Sequence, residues 1–177
     1  MIDLTKTINN DLDTYPGDPK VSLSQIKFLK HDGYNDYLLQ INMHTGTHID
    51  GINHMKKGKK ISEISLERFI GVGKVIEEGF TYQNEEVFII PTKEVLSESF
   101  VKVILKYPIK YIVIEGNSID AYPYKLHHML FEKGIMIVEN AANLSLLEKD
   151  VEYLVYAIPL KIESDSSPIR LFAQKIK

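Results

Sequence analysis

The sequence predicts a mixed α/β fold built around sheet, with few helices. Three observations carry that reading: seven short runs rich in β-branched and aromatic residues, only two segments with helical signals, and no regular alternation between the two kinds. The last observation sets aside a doubly wound parallel sheet. With 177 residues and 44% apolar content, the chain is long enough for one domain spanning 1–177 with a substantial core. No linker-like or low-complexity stretch divides it.

In chain order, Tyr15-Pro16-Gly17-Asp18-Pro19 contains the Pro-Gly pair that marks a turn. Strands are expected at Ser22 to Phe28, Tyr37 to Met43, Gly73 to Glu77, Val87 to Ile90, Tyr111 to Glu115, Ile135 to Val138 and Tyr153 to Ile158. One helix is expected from about Lys93 towards Lys106, following Pro91, with Thr92 as its cap and Glu94 in its first turn. A second runs from Tyr122 to Lys133 and stops at Gly134. Its Leu126, Met129 and Leu130 make an i, i+3, i+4 apolar stripe that seats it on the core.

Composition excludes several classes of function. A net charge of −3 gives no general attraction to nucleic acid or to an anionic membrane. The absence of cysteine rules out disulfides and thiolate ligands, so any metal must be held by nitrogen and oxygen donors. The N-terminus, MIDLTKTI, lacks a basic segment followed by an apolar core, and no apolar run approaches membrane-spanning length. A soluble, cytoplasmic protein is the expectation.

The segment His44 to His54, HTGTHIDGINH, places three histidines and an aspartate in eleven residues. Imidazole and carboxylate are the groups that bind a borderline divalent metal. Thr45, Thr47 and Ile49 favour extended backbone, and the segment follows the β-compatible run from Tyr37 to Met43. On a strand, His44, His48 and Asp50 point the same way, while Tyr37, Leu39, Ile41 and Met43 form an apolar face to bury. Gly46 leaves room for an ion or substrate to approach the backbone. His54 lies past Gly51 and reaches the same place from a turn. A lone histidine is more often a satisfied polar group than a ligand; three potential ligands of shared parity with a fourth nearby point to metal.

Other polar features are weaker. His127 and His128 stand about 100° apart around their helix, and periodicity alone does not choose between them. Glu139 ends the apolar strand Ile135 to Val138, where a carboxylate needs a cation or hydrogen-bond donors. Lys56, Lys57, Lys59 and Lys60 read as a solvated loop, with attraction of an anionic substrate as the minority reading. Ser118 and Asp120 have no spacing that pairs them with a base and read as loop residues.

HTGTHIDGINH resembles the HxGTHxDxPxH signature of the putative cyclase family of metal-dependent hydrolases, which includes bacterial kynurenine formamidases and isatin hydrolases. Ile2-Asp3-Leu4-Thr5, the Tyr15 to Pro19 turn, Ile61 to Gly71, Gly116 to Asp120 and His127 to Asn140 extend the resemblance over most of the chain. The chain departs from the pattern at Ile52, where the family has proline, so the turn presenting His54 loses a rigid φ. It is also short for the family, with the shortening placed near residues 100 to 112.

The resemblance implies a layered β/β/α domain of the swivelling type. In the family, a histidine on the second helix is followed twelve positions later by a glutamate, a spacing met by His127 and Glu139 and not by His128. His44, His48 and Asp50 are therefore expected to hold a first Zn²⁺ or Mn²⁺; the resemblance implies that Asp50 bridges to a second ion held by His127 and Glu139, giving one or two ions per subunit. It also places Tyr15 near the substrate pocket and suggests a homodimer or homotetramer. The expected chemistry is hydrolysis of a small-molecule amide, with His54 transferring the proton because an imidazole titrates near neutrality. An aryl formamide such as N-formylkynurenine is the first substrate expected. A cyclic amide or imide opened as isatin is, and a metal-binding module without turnover, are the alternatives.

Overall fold

The computed structural model describes residues 1–176. In chain order it contains β1 (Ile2–Asp3), β2 (Ser22–Lys27), the single turn α1 (Leu29–Asp32), β3 (Asp36–Gln40), β4 (His48–Asp50), β5 (Ile70–Val75) and β6 (Val87–Ile90). There follow α2 (Glu98–Ile104), β7 (Tyr111–Ile114), α3 (Lys125–Glu132), β8 (Met136–Glu139), β9 (Tyr153–Pro159) and β10 (Ser166–Lys175). Strands β5, β6, β7 and β8 pair in parallel, and antiparallel β4, β10, β1 and β9 complete an eight-stranded mixed sheet. Because β10 pairs with β9 as well as with β4, the sheet folds over and closes on itself.

Closure divides the strand residues by parity. Ile49, Val87, Ile89, Tyr111, Val113 and Val138 point into the space enclosed by the sheet. Their neighbours Phe88, Ile90, Ile112, Ile114 and Ile137 face outward, where Phe100 and Ile104 of α2 and Leu126 and Leu130 of α3 cover them. Parallel strands covered on both faces read as continuous apolar runs, which is why VFII and YIVI are legible as strands. Two β layers with helices outside form the layered, sheet-dominated α/β arrangement expected from the sequence.

Four expectations change. The strand from Tyr37 into the metal-binding motif is broken: β3 stops at Gln40, a turn with Gly46 at φ 69° intervenes, and β4 starts at His48. Tyr37 and Leu39 do not form a buried face; β2 and β3 pair only with each other, as a separate hairpin with both residues exposed. The helix placed from Lys93 starts only at Glu98, capped by Ser97 Oγ, which accepts from the Phe100 amide at 3.1 Å. Thr92 cannot open a helix because its carbonyl accepts from Glu115 and Gly116, while Leu96 N–H is committed to Ile119 O. Likewise α3 begins at Lys125, since Tyr124 has left-handed backbone; Gly134 ends it at φ 75°, as expected.

The largest omission is β10. Pro168 within it argues against a strand by sequence, yet this end of β10 needs no proline amide: the neighbouring Ile169 N–H donates to Thr47 O.

Phe88 is fully buried between sheet and helices and packs edge-on against Phe80. Phe88→Ala is expected to lower stability by about 3–5 kcal/mol, read as a reduced urea midpoint with unchanged slope.

Candidate metal centre

The site grows from strand parity. Ile49 points into the enclosed core, so His48 and Asp50 on either side of it face the helical layer. On the neighbouring strand, Glu139 lies opposite His48 in register and shares the outward parity of Ile137. Helix α3 packs on that side and brings His127 from its buried flank, 2% exposed, whereas His128 is exposed. His44 arrives from the turn before β4. The expectation that His44 shares a strand with His48 is thus corrected, although the three groups converge as that reading required.

Asp50 sits between two sets of donors. Its Oδ1 is 2.9 Å from His44 Nδ1 and 3.4 Å from His48 Nε2, while Oδ2 is 4.0 Å from His127 Nε2. Glu139 reaches His127 Nε2 at 3.4 Å through Oε1 and His48 Nε2 at 3.7 Å through Oε2. Two groups able to hold an ion therefore share Asp50: His44 with His48, and His127 with Glu139.

Outer contacts aim these ligands. His48 Nδ1 donates to Gly46 O at 2.9 Å, leaving Nε2 for the cluster. His127 Nδ1 lies 2.5 Å from Asp120 Oδ1, and Asp120 Oδ2 accepts from Leu126 N–H. Glu139 Oε1 accepts from Ile119 N–H at 2.9 Å. Asp120, read from sequence as a loop residue, is instead a buried support for a ligand, in the carboxylate–histidine relationship that fixes ring orientation at metal sites. An acid just ahead of a helix is a capping signal; it was obscured by placing the helix start at Tyr122.

The donors fit a divalent cation. Among the described residues, His48 Nε2 and Asp50 Oδ1 are buried without a hydrogen-bond partner, since the close approach of His44 to Asp50 is not aligned for one. Two buried carboxylates and three imidazoles offer only N and O atoms, suited to Zn²⁺ or Mn²⁺. Burial pulls each imidazole pKa down, but close carboxylates outweigh it: Asp50 and Asp165 lift His44 to about 9, and Asp120 and Glu139 lift His127 to about 9. His48 moves the same way, against burial, under the charges of Asp50 and Glu139. Burial raises the Asp50 pKa, yet the charges and contacts of His48 and His44 hold it well below the carboxylate range. This concentration of negative charge calls for a cation.

His54 comes from a 3-10 turn, Ile52–His54, and its Nδ1 lies 2.8 Å from Asp165 Oδ2. Ile52, which replaces the proline, packs against both hydrophobic cores and so anchors the turn by burial. Gly51 is required there: a Cβ would meet Asp165 O at 2.8 Å. Asp165 escaped the sequence reading because β10, which it precedes, was not recognised.

A cavity of about 470 Å³ opens over these groups, lined also by Tyr15, Asn42, Met55, Asn117, Ser118 and Tyr124. Tyr15 stands at its rim, its phenol pKa raised first by a hydrogen bond with Tyr124 and then by partial burial. The lysine run lies outside, with Lys56 and Lys60 paired to Glu132 and Glu163 at the surface.

Comparison with known proteins gives the same architecture a class. A family profile described as "Putative cyclase" matches residues 2–81, which include the whole HTGTHIDGINH segment. Beyond the span of that profile, the chain is similar to kynurenine formamidases along nearly its whole length. It is similar to the kynurenine formamidase of Bacillus mycoides (strain KBAB4), 27% identical over 205 residues, covering 99% of this chain and 97% of that protein. A crystal structure of an isatin hydrolase bound to the product analogue thioisatinate shares the fold with a TM-score of 0.82 at 18% identity, covering 97% of this chain and 90% of that one. A predicted metal-dependent hydrolase from Bacillus stearothermophilus does so with a TM-score of 0.79 at 22% identity, covering 96% and 95%.

If Asp120 orients a ligand, Asp120→Asn should weaken metal affinity by about 10–100-fold with the fold retained, as measured by competition with a chromogenic chelator alongside circular dichroism.

Proposed function

We propose that residues 1–177 act as one metal-dependent hydrolase that cleaves the C–N bond of a small aryl formamide of the N-formylkynurenine kind, yielding an arylamine and formate. The observation that carries this reading is the meeting of His44, His48, Asp50, His127 and Glu139, with unpartnered buried atoms, at the floor of an open cavity. The similarity to kynurenine formamidases along nearly the whole chain supports the substrate class.

His44, His48 and Asp50 would hold one Zn²⁺ or Mn²⁺, and His127 and Glu139, with Asp50 between, a second. A divalent cation supplies water acidified towards neutrality and polarises the amide carbonyl. The protein's own groups do the rest. His54, on the cavity wall with only Nε2 unengaged, carries the proton from the attacking water to the leaving amine as the C–N bond breaks. Tyr15 and Tyr124 flank the mouth and offer faces for the aryl ring, while Asn42, Asn117 and Ser118 offer polar contacts to its substituents. A fused cyclic amide presents the same carbonyl, and the shared architecture with isatin hydrolase favours ring opening as the second reading. The intact turn at Ile52 and the open cavity argue against a module without turnover.

The working unit in this reading is a homodimer, with higher homo-oligomers as an alternative. The β2–β3 hairpin carries Ile26, Phe28, Leu29, Tyr34, Tyr37, Leu38 and Leu39 at 44–64% exposure and pairs with no other strand. A two-stranded hairpin alone is marginal in water, so a further surface is needed to cover these side chains. A second copy of the chain is the occupant proposed, in a cytoplasmic setting. No helix among the described residues is long and apolar enough to cross a membrane.

In the metal-loaded protein, His54→Ala should retain metal by elemental analysis while formate release falls about 10²–10⁴-fold; Asp50→Ala should lose both. Full metal content and activity in Asp50→Ala would refute the site. Leu38→Asp should move the sedimentation coefficient from dimer to monomer, and an unchanged coefficient would exclude the hairpin as the interface.

A further inference from the structure

Asp165 stands outside both ligand groups, yet it touches the two histidines at the ends of the motif. Its Oδ2 is 2.8 Å from His54 Nδ1 and 3.1 Å from His44 Nε2, between rings whose centroids are 4.3 Å apart. Its backbone is fixed with respect to both. Asp165 O accepts from Gly51 N–H at 2.9 Å, Ser164 O accepts from Ile61 N–H, and the next residue, Ser166, lies opposite Asp50 in the β10–β4 register. The carboxylate is thus tied by main-chain bonds to the segment that carries the histidines it faces.

A carboxylate oxygen only accepts hydrogen bonds, so both ring nitrogens directed at it must carry hydrogen. For His54, hydrogen on Nδ1 leaves Nε2 as the basic nitrogen. For His44 in the neutral form that a metal ligand must take, hydrogen on Nε2, which also contacts Ser166 Oγ at 2.9 Å, leaves the Nδ1 lone pair on the side of Asp50. One oxygen therefore assigns opposite tautomers to two neighbouring imidazoles.

We infer that Asp165 is a positioning residue that sets the tautomers of His44 and His54 together, presenting His44 through Nδ1 as a ligand and His54 through Nε2 as the proton carrier. The part concerning His54 rests on the proposed hydrolysis; the tautomers themselves do not. Asp165, His44 and His54 also lie close enough together to hold an ion of their own. The two roles separate by metal count, because a positioning residue can be changed without loss of an ion.

The test uses the full chain loaded with Zn²⁺ and labelled with ¹⁵N-histidine. Long-range ¹H–¹⁵N correlation of the wild type should show His54 with hydrogen on Nδ1 and His44 with hydrogen on Nε2. Asp165→Leu is close in size to aspartate and has no acceptor, so it can accept from neither ring. At least one ring should change tautomer, with zinc per chain unchanged, kcat reduced about 10–1,000-fold and KM within about twofold. Asp165→Glu, which restores an acceptor, should recover part of kcat and the wild-type tautomers. Hydrogen on His54 Nε2 in the wild type, tautomers unaltered in Asp165→Leu, or loss of one zinc per chain would each overturn the inference. Tautomers as expected in a protein that hydrolyses no amide would leave the positioning role standing and refute the proposed reaction.

Discussion

Two carboxylates, Asp50 and Glu139, are buried side by side on one face of the sheet, and the surrounding structure is organised by the need to neutralise them. Among the described residues, the cationic groups within ion-pair distance of either are histidines; no lysine or arginine is among them. Uncompensated charge in such a setting is costly. Protonated imidazoles provide part of the compensation, as the raised pKa values of His44 and His127 indicate, but they leave His48 Nε2 and Asp50 Oδ1 without partners. A divalent cation held there would satisfy both atoms and supply the remaining charge. Metal binding and folding would then be linked, since the ion would stabilise the arrangement that creates its site.

Closure of the sheet makes this arrangement reproducible. Because β4 lies between β10 and β8, its three residues are held by ladders on both sides, and a slip of one residue would turn His48 and Asp50 into the enclosed apolar core. Ile49, fully buried there, opposes such a slip. The antiparallel β4–β8 ladder fixes the height of Glu139 against His48, and the apolar seat of α3 on Ile112, Ile114 and Ile137 fixes His127 above both. The proposed ligands thus occupy rigid elements, with Asp120 and the Gly46 carbonyl completing their aim.

How legible these features were depended on whether their cause was local. VFII and YIVI are strands by composition, and the ligand motif is dense enough to be conspicuous. Its strand parity was right for His48 and Asp50 and wrong for His44, because Gly46 permits a left-handed turn that periodicity does not register. The hairpin residues Tyr37 and Leu39 alternate as a buried strand would, yet alternation cannot say what covers the apolar face. Helix α2 starts late because Thr92 and Leu96 are claimed by partners more than twenty residues away. Asp120 and Asp165 act across the fold on His127 and His54, so neither has a local spacing that reveals it.

The departure at Ile52 shows how the same aim can be reached by different means. Proline would restrict the turn by fixing φ before any packing forms. Here Ile52 inserts its side chain against both cores, the His54 N–H closes the 3-10 turn on Gly51 O at 3.0 Å, and Asp165 holds the ring at Nδ1. Gly51 makes the combination possible, because any side chain there would displace the Asp165 carbonyl and with it the carboxylate. Burial, one turn hydrogen bond and one tertiary contact replace a covalent restriction. The placement of His54 therefore depends on the β9–β10 connection as much as on the motif that contains it.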